Sequence, residues 1–294
     1  MTALGKIPVG NYLACARLNL RVAGLAAAGL WLGSRDWAAG YDAVAPDYDE
    51  TWSRLLQPVT RELVERLPVA EYSRIVDLGC GTGYATSLLA QRYQRANILG
   101  VDLSEKMLEC ARNKSPDPRI EWSRGDMLSS IQSLPSSETD LVFSAWAIGY
   151  SHPTRVIAAA ARTLRPGGTL AFVVNLADTL APVFLAFRRC MARFPERVQR
   201  AAWLRFPKSL AALARCMESN GFVVGHKEEG YCEVAPPASH RGSTLDWLSK
   251  TGVLAGFDAL LPLEGRVSET FETLLRENPE PIRHHYAALV ARLP

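Results

Sequence analysis

No C-x-x-C pair joins the six cysteines, which stand at positions 15, 80, 110, 190, 216 and 232. Zinc-site spacing is absent, and a disulfide framework does not suit a chain of 294 residues, so free thiols and a cytoplasmic location are expected. Surplus charge is also scarce. The formal net charge is +3, with no basic stripe of the kind that follows a phosphate backbone, so no nucleic-acid partner is expected. The histidines at 226, 240, 284 and 285 have no ligand spacing, and no metal site is expected. Long apolar runs are missing too. The uncharged stretch Val22–Gly33 falls short of the about 20 residues that a membrane span needs. It starts late for a signal peptide and lacks a clean small-residue cleavage site before Ser34-Arg35-Asp36. A soluble lid helix is the favoured reading, an interfacial membrane helix stands second, and a cleaved signal third.

The rest of the composition is that of an ordinary globular protein, 48% hydrophobic and 21% charged, and the chain is long enough for one domain with an appended lid. Residues 1–70 read as helices. From Arg74 onward strand and helix alternate, which points to a doubly wound parallel sheet. Strands are expected at 74–79, 97–102, 119–123, 141–145 and 169–174. Helices are expected at 84–94, at 104–113 with Ser104 as its N-cap, and at 154–164. Leu180–Phe206 reads as an extra helical stretch, followed by a helix at 209–219, a strand from Phe222 and a last strand at 285–292.

The most informative run is Ile75-Val76-Asp77-Leu78-Gly79-Cys80-Gly81-Thr82-Gly83. A β-type segment leads into glycines at every second position, and a helical pattern follows. Such a turn brings the main chain close to a ligand, because glycine lacks Cβ and accepts positive φ. The free N–H groups of the next helix then face that ligand. The spacing G-x-G-x-G departs from the dinucleotide fingerprint G-x-G-x-x-G, which argues against a nicotinamide oxidoreductase. Asp77 precedes the glycines, and Asp102 ends the next apolar run, where a carboxylate can accept from ribose hydroxyls.

These residues resemble the class I, Rossmann-like S-adenosylmethionine (SAM)-dependent methyltransferases, in particular their small-molecule branch. Further pieces stand in the same order: Tyr41-Asp42-x-x-Ala45-x-x-Tyr48-Asp49, Gly125-Asp126-Met127, and Arg162-Thr163-Leu164-Arg165-Pro166-Gly167-Gly168. The resemblance covers about residues 40–175. It implies an α/β fold with a doubly wound, seven-stranded, mostly parallel sheet, whose last strand is antiparallel and inserted between strands five and six. A helical cap would come from the N-terminus and two inserts. The expected organisation is an N-terminal helical lid at 1–70, a SAM-binding core at 71–175, a cap insert at 176–207, a core continuation at 208–237, a second insert at 238–280 and a final strand at 281–294.

The resemblance also implies roles. Gly79, Cys80, Gly81 and Gly83 would form the loop around SAM, with Asp77 organising it and the methionine amino group, unless Asp77 is only a turn carboxylate. Asp102 would accept from the ribose. Asp126 would accept from the adenine amine, with Met127 on the ring and Leu103 and Met107 as walls, although core packing accounts for Met107 equally well. Ser144, Ala145 and Trp146 end strand four beneath the transferable methyl, unless Trp146 only fills the core. Tyr41 and Tyr48 would touch the donor, or else pack the lid. On the acceptor side, His152 is the candidate base, since an unperturbed imidazole titrates near about 6.5. Tyr150 is a candidate contact. Each of the two also has a plain loop or core reading.

Strand four lacks the Asn/Asp-Pro-Pro-Tyr run of methyltransferases acting on planar amines. With an aromatic lid drawn from Trp31, Trp37, Trp52, Phe184, Phe187, Trp203, Phe206, Trp247 and Phe257, the resemblance implies methyl transfer from SAM to a small, largely apolar or aromatic molecule of secondary metabolism, at oxygen first and carbon close behind. The alternatives are a SAM-binding relative that guides a cyclisation without methylating, or a membrane-associated SAM-binding module. Oligomeric state is open.

Overall fold

The structure, a computed structural model, describes residues 12–237, 240–278 and 280–294. The start of the expected lid at residues 1–11, and positions 238, 239 and 279 of the second expected insert, lie outside the described residues. Helices α1 (Tyr12–Ala27), α2 (Ser34–Val44) and α3 (Arg54–Glu65) precede strand β1 (Arg74–Leu78). Next come α4 (Tyr84–Arg92), β2 (Asn97–Asp102), α5 (Glu105–Lys114), β3 (Ile120–Arg124), α6 (Met127–Ser133), β4 (Thr139–Ala145), α7 (Pro153–Thr163) and β5 (Leu164–Asn175). The chain continues through α8 (Ala181–Arg193), α9 (Leu210–Ser219), β6 (Val223–Glu233), α10 (Thr244–Leu248), α11 (Phe257–Leu260), α12 (Gly265–Arg276) and β7 (Arg283–Arg292).

The sheet has seven strands in the order β3-β2-β1-β4-β5-β7-β6. β1 runs parallel to β2 and β4, and β4 parallel to β5. β7 is antiparallel to β5, with Thr169 opposite Arg292 and Asn175 opposite Tyr286. The expected sheet, with its last strand inserted antiparallel between the fifth and sixth, is therefore observed. Local sequence rules explain the helix starts. The Ser104, Asp126 and Ser209 side chains each accept from a main-chain N–H in the first turn of α5, α6 and α9.

The chain divides into two compact units. One contains the sheet and comprises Ser53–Thr179, Leu204–Cys232 and His285–Pro294, so α3 belongs with it. On one face of its sheet, Val76, Val142, Phe172 and Leu289 pack with Ile131, Ile157 and Met217, all at most 1% exposed. Full burial of such a side chain is worth roughly 1.5–3 kcal/mol of transfer free energy. Polar clamps fix the amino ends of the strands. Asp140 accepts from the Ser73 and Arg74 main-chain N–H groups at 2.6 and 2.7 Å and pairs with Arg165. Arg162 donates to the Ile131, Gln132 and Leu134 carbonyls at the end of α6. The family-like run around Arg162 is thus a structural brace.

The described residues of the other unit fall within Met1–Trp52, Leu180–Trp203 and Glu233–His284. Its aromatics pack on one another: Phe187 lies 4.3 Å from Phe257 and 5.6 Å from Phe271 between ring centroids, and Gly256, at φ +80°, sits under the Trp37 ring. Leu180–Phe206 is not one helical stretch. Helix α8 stops at Arg193 because Pro195 disfavours the α conformation in Phe194, which adopts φ −130°, ψ 52°. A single 3₁₀ turn at Pro195–Arg197 and irregular chain follow.

Candidate active site

The turn after β1 is built on three left-handed glycines: Gly79 at φ +73°, Gly81 at +54° and Gly83 at +83°. The surroundings of these glycines differ. A Cβ on Gly79 would stand 2.1 Å from the Ala147 Cβ, and one on Gly83 would stand 2.8 Å from the Trp122 ring. A Cβ on Gly81 would meet nothing within 4 Å, so the middle of the loop faces open space. The loop is also tied to the neighbouring strand, since the Gly79 and Cys80 N–H groups donate to the Val101 carbonyl at 2.7 and 3.0 Å. Gly83 then opens α4. The result is a rigid main-chain cradle leading into a helix N-terminus.

Two carboxylates flank it. Asp102, at the tip of β2, accepts from the Gly81 N–H through Oδ2 and from the Ser104 N–H through Oδ1, both at 2.9 Å. It therefore holds the loop and the start of α5 together. Asp77 is fully buried. Its Oδ2 accepts from the Thr86 hydroxyl at 2.6 Å, and its Oδ1 has no hydrogen-bond partner among the described residues. Burial pushes its carboxyl up to about 7; the Thr86 bond opposes the shift and the Asp102 charge adds to it. A buried carboxylate oxygen without a donor is costly, and a ligand ammonium group suits it. Burial, reinforced by Asp102 and Asp77, also raises the Cys80 thiol well above its ordinary range, so this thiol is not a nucleophile.

Around this cradle, Asp126 caps α6, its Oδ1 accepting from the Ser129 N–H at 2.9 Å, and Met127 is 8% exposed. Leu103 is half-buried, whereas Met107 is only 1% exposed and belongs to the core. The Ser144 hydroxyl donates to the Leu78 carbonyl at 2.7 Å, which pins the end of β4 to the end of β1. Beyond the half-buried Ala145, Trp146 has φ +64°, a left-handed conformation that costs a non-glycine residue of order 1–3 kcal/mol. Contacts that hold the strain include its N–H on the Val173 carbonyl, its indole Nε1 on Thr60 Oγ1 at 3.0 Å, and its ring 5.5 Å from Tyr286.

Past Trp146 the chain makes a 3₁₀ turn, Ile148–Tyr150. Tyr150 meets Phe206 edge-on at 5.5 Å, and a Cβ on Gly149 would stand 2.6 Å from that same ring. His152 precedes α7 and does not cap it with its side chain. Burial and the charges of Arg205 and Arg155 lower its pKa, with Asp126 opposing. Tyr41 and Tyr48 lie in the other unit, edge-to-face at 6.3 Å. Thr86, Thr60, Trp122 and Arg205 were missed by reading the sequence. Thr86, three residues past the last glycine, carries a local signal; the other three are brought in only by folding.

Residues 75–168 match a family described as a methyltransferase domain. The chain is 31% identical over 214 residues to a trans-aconitate 2-methyltransferase of Azoarcus, covering 68% of this chain and 76% of that protein. It is 33% identical over 159 residues to a malonyl-[acyl-carrier protein] O-methyltransferase of Laribacter hongkongensis, covering 51% of this chain and 53% of that protein. Among solved structures, the [4+2]-cyclase SpnF superimposes with a TM-score of 0.52 at 20% identity, over 81% of this chain and 80% of that one, a likeness of fold.

Proposed function

The chain belongs to the class I SAM-dependent methyltransferases, and we propose that it methylates an oxygen of a small metabolite with an apolar or aromatic body, in the first instance a carboxylate oxygen. SAM, when bound, supplies a methyl group already activated on a sulfonium. The enzyme's task is then to align the acceptor and exclude water. In this reading the loop Gly79–Gly83 and Asp102 hold the nucleoside end. Asp77 takes the amino group of the methionine end through its unpartnered Oδ1. Asp126, Met127 and Leu103 border the base, and Ser144–Trp146 form the floor beneath the reacting carbon.

The choice of acceptor is carried by two arginines, Arg205 and Arg155, whose charges act on His152 after β4 and outweigh the opposing carboxylate of Asp126. A carboxylate is attracted to that rim and bears no proton at neutral pH, so transfer to it needs no base. His152 would orient the acceptor, with Tyr150 beside it. The names of the two relatives, one an O-methyltransferase of a malonyl group, support the same choice.

The test is turnover of SAM to S-adenosylhomocysteine against matched panels of small carboxylic acids, phenols and isoprenoids, with products identified by mass. Methyl esters of acids are expected. Arg205→Ala should raise KM for the acid roughly tenfold with little change in kcat, the loss of one charge-assisted contact. Phenols turned over in preference, with kcat collapsing in His152→Ala, would replace the carboxylate reading with base catalysis. Tight SAM binding with no methylated product from any panel would favour the cyclisation alternative.

A further inference from the structure

Helix α1 is mostly apolar apart from Arg17, Asn19 and Arg21, with only Leu18 and Leu25 buried. Its outward stripe consists of Leu13, Ala16, Leu20, Ala23 and Ala27, all exposed, at the alternating three- and four-residue spacing of one helix face. Leu13 and Leu20 are 70% and 75% exposed. Beyond the helix, Leu30 and Trp31 pair with the segment that follows α8. The Ala201 N–H donates to the Leu30 carbonyl, the Leu32 N–H to the Ala201 carbonyl, and Trp203, two residues on, is 71% exposed. Most of the large exposed hydrophobics among the described residues thus gather on α1 and the turn after it, all within the unit that lacks the sheet.

The charge follows the same distribution. Residues 12–35 contain Arg17, Arg21 and Arg35 and no carboxylate, and residues 181–203 contain five arginines against Glu196 alone. Their combined surplus exceeds the +3 of the whole chain, so the remainder is net negative. Arg189 and Arg197 are answered by Glu277 and Glu264, and Arg21 donates to the Val198 carbonyl, whereas Arg17 and Arg193 are exposed. No helix among the described residues is long and apolar enough to cross a membrane.

We propose that this face rests on an anionic lipid surface. The stripe of α1, with Leu30, Trp31 and Trp203, enters the headgroup boundary, and the arginines face the lipid phosphates. The chemistry fits that occupant over others. Indole rings favour the interface between headgroup and acyl chain, long arginine side chains reach outward from an apolar face, and a helix of this length lies in the interface plane. A membrane-bound acceptor metabolite with an apolar body would thereby be delivered to the enzyme, although the docking itself does not depend on the choice of acceptor.

The test is flotation of the full-length protein with vesicles of phosphatidylcholine, alone or mixed with phosphatidylglycerol. Binding is expected only to the mixed vesicles, and weaker at high salt. Arg17→Ala should weaken it about fivefold, the worth of one cation near such a surface. Leu20→Glu and Trp203→Ala should each weaken it roughly tenfold or more. SAM affinity and melting temperature, measured on every variant, should stay unchanged because these side chains are exposed. No flotation with either vesicle overturns the proposal, as does equal binding to both, or retention by a Leu20→Glu/Trp203→Ala variant. A dimer in light scattering that Leu20→Glu dissociates would assign the face to a second copy of the chain and overturn it as well.

Discussion

Replacing Asp77 by asparagine should strengthen the ligand-free protein at neutral and alkaline pH while weakening its hold on SAM. Asp77 is fully buried and its carboxyl titrates at about 7, against 3.8 when unperturbed. A carboxyl whose folded pKa is raised destabilises the fold as it ionises. The penalty is absent below the unfolded pKa, grows as pH rises through the interval, and is complete above the folded value. A shift of this size corresponds to about 4 kcal/mol at pH 8 and about 1–2 kcal/mol at pH 5. Asparagine removes the ionisation but puts an amide N–H where Oδ1 has no partner, at a cost of about 1–3 kcal/mol. Asp77→Asn is therefore expected to be no more stable than wild type at pH 5 and more stable by about 1–3 kcal/mol at pH 8. Melting scans of the ligand-free proteins across that interval should cross. In parallel, losing the partner of the methionine ammonium should weaken SAM binding roughly 10- to 100-fold by calorimetry, since such charge-assisted bonds are worth about 1.5–3 kcal/mol. Parallel melting curves for the two proteins, or an unchanged affinity, would refute the assignment of Asp77 as the buried acid that a ligand completes.

Two further outcomes follow from the same geometry. Gly79→Ala places a Cβ 2.1 Å from that of Ala147, at a left-handed backbone position, so it should destabilise by about 2–4 kcal/mol and abolish SAM binding; urea melts and a thermal shift with SAM check both. Thr60→Val removes the acceptor of the buried Trp146 indole N–H, with an expected loss of about 1–3 kcal/mol. Because that bond holds a strained residue at the end of β4, kcat should fall more than stability alone explains, and equal kcat at a temperature where both proteins are folded would contradict this.

Much of the sheet unit was legible because its rules are local. Strands Arg74–Leu78 and Asn97–Asp102 read directly from short apolar runs bounded by glycine or acid, and Ser104 announced its helix as a cap. The unit without the sheet was less legible. Its core joins Phe187 of α8 to Phe257 and Phe271, 70 and 84 residues further on, a pairing that no local pattern encodes. The same limit hid Thr60, whose partner Trp146 lies 86 residues away.

The amino-acid sequence alone specified the glycine turn, the acids on either side of it and the order of the strands. These depend on φ preference, side-chain alternation and capping, all of which act within a few residues. Only the tertiary structure decided that Asp77 is sealed from water with one oxygen unpartnered, that Trp146 is held in a strained conformation, and that the apolar stripe of α1 faces outward. Burial, ionisation and exposure are properties of what surrounds a side chain, and those surroundings come from segments far apart in the chain.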